Sequence, residues 1–226
     1  MTDLSLSLII ATWYQPTWAS SAASWQHPAL IIPRRGILDA YQLGYESCQS
    51  DILFYAHDDL LCLDSNWLPR VLAEFSNPQV ALVGFAGAPG YGHPLMYTKP
   101  YHHSSLGRVG FASNLLNAEQ HGARFTGSRS VAVLDGMALI VRRAFLSQIN
   151  GWEWRRGTPC DYFMYAEALA FMALRHGYKI RQVGVAVDHL GGRSTGLNPD
   201  LHPQFEAEHE WLFEEFRDIM PVMVEE

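Results

Sequence analysis

The segment DILFYAHDDL (residues 51–60) places an apolar run directly before three polar side chains, His57, Asp58 and Asp59. The apolar residues are mainly β-branched or aromatic, which is typical of a buried strand. Adjacent carboxylates repel each other unless a cation or a proton relieves the repulsion. Carboxylates suit magnesium, and an imidazole beside them favours manganese. The segment therefore indicates a divalent-metal site at a strand end, the alternative being a polar turn before the next helix.

Apolar segments alternate with segments of helical spacing on both sides of this stretch. The alternation predicts an α/β fold, a single Rossmann-like domain over residues 1–226 with a mostly parallel central sheet flanked by helices. Strands are expected over residues 4–11, 29–32, 52–56, 80–85, 131–141 and 178–187, with helices over 36–48, 67–75, 142–149, 161–176 and 203–220. The last helix is amphipathic and acidic, and residues 12–27 and 91–128 are expected to be loops.

A second polar cluster follows the last predicted strand, where Asp188 and His189 precede two glycines. In sheets of this class, ligands bind at the carboxyl ends of the strands. His57 and His189 both lie at such ends, so we expect them to belong to one site. The alternative for His189 is a histidine that only caps a loop.

Composition narrows the function classes. A net charge of −7 argues against a nucleic-acid partner. The three cysteines have no short spacing, which argues against a disulfide framework or a cysteine zinc site and favours a reducing cytoplasm. No segment is apolar over the length needed to cross a bilayer, which leaves peripheral membrane contact open.

The order of these motifs resembles family-2 glycosyltransferases with the GT-A fold, in the branch whose Asp-x-Asp motif begins with histidine. The resemblance covers residues 4–195 and is carried by HDD (57–59), VALVGFAG (80–87), VAVLDGMALIVRRAFLSQINGW (131–152), HGYKI (176–180) and VAVDHLGG (185–192). It implies inverting transfer of a sugar from a nucleotide-diphosphate donor to a glycan or other hydroxyl acceptor. Among such donors, the resemblance favours a UDP-sugar. The implied cofactor is Mn²⁺ or Mg²⁺.

The resemblance also implies roles for residues of the two polar clusters. Asp59 would contact the metal, while Asp58 would orient the sugar nucleotide. His57 occupies the position where the family usually has its first carboxylate, and it would be a further metal ligand. His189 matches the histidine that completes metal or diphosphate binding after the last strand.

Four other residues are assigned to the donor on the same ground. Asp135 and Gly136 match the element that lies under the sugar and the acceptor. Thr12, at the end of the first strand, is expected to approach the nucleotide base. Arg193 would hold the diphosphate, which its fork of donors suits, the alternative being a solvated loop residue.

The catalytic base is sought in CDYFMYAEALAFMALRHGY (residues 160–178), where the family places a carboxylate at the start of a helix. Glu167 is favoured, because burial on so apolar a helix would raise its pKa toward that of a useful base. Asp161 is the other candidate, although it is equally suited to cap the helix.

Two other functions are compatible with the same residues. One is a protein with a degraded site that binds a saccharide or a partner without transfer. The other is a metal-dependent nucleotidyltransferase or hydrolase. Residues 91–110, rich in histidine and glycine, are expected to close over a donor as a lid.

Overall fold

The computed structural model describes residues 4–12, 15–33, 35–92, 108–116, 122–190 and 202–225. Its six helices are α1 (Gln15–Ser24), α2 (Ile37–Ser47), α3 (Trp67–Glu74), α4 (Arg143–Gln148), α5 (Tyr165–Arg175) and α6 (His202–Glu215), with a short 3-10 helix at Glu153–Arg155. Among these residues no helix combines the length and the apolar character needed to cross a membrane.

The strands form one large sheet and three small ones. In chain order they are β1 (Leu6–Thr12), β2 (Ala29–Pro33), β3 (Ile52–His57), β4 (Leu60–Cys62), β5 (Val80–Gly84), β6 (Ala86–Ala88), β7 (Gly90–Tyr91), β8 (Arg108–Val109), β9 (Ala112–Ser113), β10 (Ala123–Arg124), β11 (Ser128–Ser130), β12 (Val133–Leu134), β13 (Ala138–Arg142), β14 (Lys179–Val183), β15 (Val187–His189) and β16 (Val222–Met223).

The central sheet has seven strands in the order β11-β14-β5-β13-β3-β1-β2. β1 is parallel to β2 and β3, and β14 is parallel to β5. β13 lies between β3 and β5 and is antiparallel to both, while β11 is antiparallel to β14. Five of the seven strands therefore run in one direction, which confirms the predicted α/β fold with a mostly parallel sheet.

Strand β3, which contains the apolar run that precedes the HDD motif, is buried on both faces, as its sequence predicts. Leu53 and Tyr55 pack into a core shared with α2, α5 and α6, whereas Phe54 packs on the opposite face with Trp25 and Trp67 near α1 and α3. Side chains of successive strand residues point to opposite faces, so a continuous apolar run is what a sheet covered on both sides requires.

Three sequence expectations are wrong in detail. Residues 12–27, expected to be a loop, contain α1. This helix is hydrogen-bonded to β4, because the Ser21 hydroxyl donates to the carbonyl of Leu60 at 2.8 Å. The strand predicted over 131–141 is divided into β12 and β13 by a turn. The strand predicted over 178–187 ends at Val183, and β15 pairs elsewhere. Local apolar periodicity does not report either break.

The region predicted to be loop over 91–128 contains β8 to β10 and the first residue of β11. The lid predicted over 91–110 lies largely outside the described residues. Of that segment, the short strand β8 proves important, because it carries Arg108 into the region of the predicted site.

Helix α6 holds the start of α5 in place. The Glu208 carboxylate is buried and accepts hydrogen bonds from three consecutive backbone N–H groups, those of Tyr162, Phe163 and Met164, at 3.0, 2.8 and 3.0 Å. The first N–H groups of a helix have no partner within the helix. A side chain from another helix thus supplies the acceptor just ahead of Tyr165.

Candidate functional site

The two predicted polar clusters meet through a small antiparallel ladder. His57 ends β3, Asp58 and Asp59 form a turn, and β4 begins immediately after them. β15 pairs with β4 so that His189 lies opposite Leu60. The N–H of residue 190 also donates to the carbonyl of Asp59 at 3.1 Å. This pairing brings residues more than a hundred positions apart in the chain to one place.

Three side chains from these clusters face a common point. His57 Nδ1 lies 3.4 Å from His189 Nε2, and that atom lies 3.2 Å from Asp59 Oδ1. One donor atom from each of the three residues lies within 4.8 Å of the others, and within the described part of the chain no other group of this kind occurs. Two imidazole nitrogens and one carboxylate oxygen fit manganese better than magnesium, which prefers oxygen ligands.

The electrostatics of the three residues are coupled. Burial lowers the pKa of His57, and the neighbouring His189 lowers it further. Burial also acts to lower the pKa of His189, but the hydrogen bond and charge of Asp59 outweigh it and raise that pKa. For Asp59, burial acts to raise the pKa, and the contacts with His189 prevail and lower it. Asp59 is therefore ionised and attracts a positive charge to this point.

A second charged group lies beside the first. Asp135 occupies the turn between β12 and β13, where its Oδ1 accepts from the N–H of Met137 at 3.0 Å. Arg108 donates to Asp135 Oδ2 at 2.7 Å and to Glu167 Oε1 from two nitrogens, at 2.7 and 3.2 Å. One guanidinium thus joins two carboxylates that the sequence assigned to the site.

Arg108 was missed at the sequence level because it lies in a segment without periodicity. A signal for it nevertheless exists in the chain. Two carboxylates placed in one site, one of them on an apolar helix, require a buried cation nearby. Arginine is the residue best suited to serve both of them, since its planar fork can donate in several directions.

The two carboxylates differ in their environments. Burial raises the pKa of Glu167, although the guanidinium of Arg108 opposes this. For Asp135, burial acts in the same direction, but the charges of Arg108 and His189 outweigh it and lower the pKa. Glu167 Oε2 is buried and receives no hydrogen bond from the described residues. Glu167 therefore keeps both a free lone pair and an affinity for a proton.

Tyr165 links the two charged groups. Its hydroxyl lies 3.0 Å from His57 Nε2 and donates to the carbonyl of Gly136 at 3.2 Å. Tyr165 is the first residue of α5, two positions before Glu167. The three candidate metal ligands, the Asp-Gly turn and the helix with the candidate base are thus connected by direct hydrogen bonds.

The remaining predicted site residues have varied positions. Asp58 lies partly buried in the turn beside the three candidate metal ligands, and Thr12 is a buried residue at the end of β1. Asp161 accepts a hydrogen bond from Arg155 at 2.7 Å and its side chain is 56% exposed. The contacts described above do not include it. Arg193 lies outside the described residues.

No family profile and no curated protein matches this sequence, but solved structures match its fold. The structure of GalNAc-T7 with UDP, GalNAc and Mn²⁺ has a TM-score of 0.64 at 12% identity, covering 95% of this chain and 50% of that one. Mannosyltransferase PcManGT from Pyrobaculum calidifontis, in complex with GDP-Man and Mn²⁺, has a TM-score of 0.53 at 12% identity, covering 92% and 69%. A197 from STIV has a TM-score of 0.51 at 15% identity, covering 86% and 90%.

These similarities extend over most of the chain, which spans about half the length of the GalNAc-T7 structure. Sequence identities of 12–15% are too low to transfer substrates or residue roles, so the likeness concerns architecture. The chain therefore has the GT-A fold of glycosyltransferases, as the order of its sequence motifs predicted.

Proposed function

We propose that this protein is a metal-dependent, inverting glycosyltransferase. It transfers a sugar from a nucleoside-diphosphate donor to a glycan or other hydroxyl acceptor, and a UDP-sugar is the donor we favour. The observation that carries the proposal is the convergence of His57, Asp59 and His189 at the end of β3. Ligands bind at this edge of an α/β sheet. Two solved structures of similar fold were determined with Mn²⁺ and with UDP or GDP-Man.

The three residues would hold Mn²⁺ or Mg²⁺, and their two imidazoles favour manganese. A bound divalent ion neutralises the charge that develops on a diphosphate leaving group. Asp58, in the same turn, orients the donor beside this point. We assign Thr12 to the nucleotide and Arg193 to the diphosphate on the family resemblance.

Glu167 is our proposed base. It takes the proton from the acceptor hydroxyl as that hydroxyl attacks the anomeric carbon, which inverts the configuration. Oε2 lacks a hydrogen bond among the described residues, and the acceptor hydroxyl would supply one after a side chain that covers the fully buried Glu167 moves aside. Burial raises the pKa of Glu167 in the direction a base requires. Asp135 and Gly136 lie beside it and would support the sugar. Asp161 is the alternative base.

A second function has one observation in its favour. Arg108 engages both Glu167 and Asp135, and a carboxylate held by a guanidinium is less available to accept a proton. A protein that binds a saccharide or a partner through this site without transfer would tolerate that arrangement. For either function we propose a reducing, cytoplasmic setting, because the three cysteines are free thiols.

The test is a panel of nucleotide sugars measured by thermal shift with and without Mn²⁺, followed by a transfer assay with anomeric analysis of the product. We expect a donor to stabilise the protein only with the metal, and Asp59→Asn to abolish this. Asp218→Asn, which neutralises an exposed carboxylate paired with Arg175, is the matched control.

Three outcomes would exclude the proposal. Stabilisation by a saccharide alone, with no donor effect, would favour the binding protein. Release of phosphate or pyrophosphate from a nucleotide without glycosyl transfer would indicate a hydrolase or nucleotidyltransferase. A product with retained anomeric configuration would exclude the inverting mechanism.

A further inference from the structure

The two ring nitrogens of His57 face different groups. Nδ1 lies 3.4 Å from His189 Nε2, on the side where the three candidate metal ligands converge. Nε2 lies 3.0 Å from the hydroxyl of Tyr165. A neutral imidazole carries its hydrogen on one nitrogen and its lone pair on the other. Whether His57 can bind an ion with Nδ1 therefore depends on which nitrogen is protonated.

The carbonyl of Gly136 decides the direction of the hydrogen bond between Tyr165 and His57. A carbonyl oxygen can only accept, and it lies 3.2 Å from the Tyr165 hydroxyl, which has a single hydrogen to donate. If that hydrogen pointed to His57 instead, two oxygen atoms would face each other with lone pairs. Tyr165 consequently donates to Gly136 and accepts from Nε2–H of His57.

We infer that Tyr165 is a positioning residue that holds His57 in the tautomer with Nδ1 free to bind a metal ion. The inference rests on the proposed metal-dependent function and names a residue that acts on the site through His57. Hydrogen bonds to the distal nitrogen of a ligating histidine fix both its tautomer and its ring orientation. In this protein the acceptor is a tyrosine, itself oriented by a backbone carbonyl.

The same contact explains why residue 136 is glycine. A Cβ atom built there would lie 2.4 Å from the Tyr165 hydroxyl oxygen and 2.8 Å from its Cζ. The backbone of Gly136 does not have a positive φ, so close approach, rather than conformational freedom, requires the glycine. Any side chain at residue 136 must displace the tyrosine ring from the carbonyl and from His57.

The experiment measures the tautomer and the metal affinity separately. In the metal-free protein at alkaline pH, where imidazoles are neutral, ¹⁵N shifts should show His57 as the Nε2–H tautomer, and Tyr165→Phe should yield a mixture. By calorimetry, Tyr165→Phe should weaken Mn²⁺ binding about 10- to 100-fold, and Gly136→Ala should act in the same direction.

Tyr178→Phe is the control, because it removes a tyrosine hydroxyl that accepts a hydrogen bond from Gln148. It should leave both readouts unchanged. The inference is overturned if wild-type His57 is the Nδ1–H tautomer, or if Tyr165→Phe alters neither the tautomer nor the Mn²⁺ affinity of a folded protein. If the wild type binds no Mn²⁺ while the tautomer responds to Tyr165→Phe, the proposed function fails and the role of Tyr165 in setting the tautomer stands.

Discussion

Arg108 donates to a single oxygen of Glu167 from two nitrogens, Nη2 at 2.7 Å and Nε at 3.2 Å. The pair is buried, since the side chain of Arg108 is 11% exposed and that of Glu167 is inaccessible. Burial acts to lower the pKa of Arg108, but the charges of Glu167 and Asp135 raise it. The guanidinium therefore remains charged and serves as the counter-ion of the candidate base.

Removing this cation should be costly. Arg108→Ala leaves two carboxylates without their partner, and we expect a loss of about 3–5 kcal/mol in the free energy of unfolding, measured in urea. Arg156→Ala is the control, since its side chain is 73% exposed and pairs with Glu153 at the surface. It should cost less than about 1 kcal/mol. Equal effects of the two substitutions would contradict the structural role of Arg108.

The loss in free energy of unfolding caused by Arg108→Ala should depend on pH. Without the guanidinium, only burial acts strongly on Glu167, so its raised pKa rises further. A carboxyl whose pKa is higher in the folded than in the unfolded state binds more protons when folded, so stability falls as pH rises through that pKa. The loss should accordingly be smaller in acid than at neutral pH. A deficit that grows on acidification would show that Glu167 is not the group left unpaired.

The two candidate bases can be separated by isosteric substitutions. Glu167→Gln should reduce the rate of transfer about 10²- to 10⁴-fold, while the affinity for Mn²⁺ and donor changes little. Asp161→Asn should reduce the rate only slightly, because Asp161 is an exposed partner of Arg155. The reverse order of effects would assign the base to Asp161. Thermal stability must be recorded for both variants, since Glu167 also pairs with Arg108.

The metal preference follows from the two imidazoles. Mn²⁺ should raise the melting temperature at lower concentration than Mg²⁺, and removal by a chelator should reverse the effect. Imidazoles bind metals only when deprotonated. The pKa of His189 is raised, so on acidification this histidine takes up its proton at a higher pH than a free histidine, whose pKa is about 6.5. We therefore expect the Mn²⁺ affinity to decrease on acidification before the pH reaches about 6.5. A pH-independent affinity, or a preference for Mg²⁺, would argue against ligation by these histidines.

Glu208 offers a test of how α5 is positioned. Glu208→Ala leaves three backbone N–H groups ahead of α5 without their acceptor, and we expect a loss of about 2 kcal/mol or more in unfolding free energy. Glu208→Gln keeps an acceptor oxygen and should cost less. Glu206→Ala, at an exposed position of the same helix, should be nearly neutral. If Glu206→Ala costs as much, the effect belongs to the helix and not to the contact.

The sequence predicted best those features that follow from strand ends. His57, Asp59 and His189 each terminate or follow an apolar run, and in an α/β sheet such ends meet at one edge. That rule suffices to place them together before any distance is known. Asp135 was assigned only from the family resemblance, because it lay inside a segment expected to be one strand, and that segment proved to be two short strands separated by a turn.

Other features were not predictable because nothing local reports them. Arg108 lies on a two-residue strand whose neighbours have no apolar period, and its partners are 27 and 59 positions away. In the sequence, Tyr165 resembles the other aromatic residues in the apolar segment of residues 161–176. Only its contact with His57 shows that it belongs to the site. Helix α1 lacks a strong apolar stripe and contacts the chain after β3 through Ser21. These are long-range, polar relationships, which hydrophobic patterns do not encode.

The pairing of β4 with β15 also bears on the order of events during synthesis. A ribosome releases Asp59 long before it reaches His189, and the ladder between their strands can form only when both have left the exit tunnel. Joining such distant segments incurs a loop-closure cost that short-range contacts avoid. A growing chain therefore presents the HDD turn without His189 until the ribosome has synthesised and released β15. A metal ion held by all three residues, as proposed, could bind only after this ladder has formed.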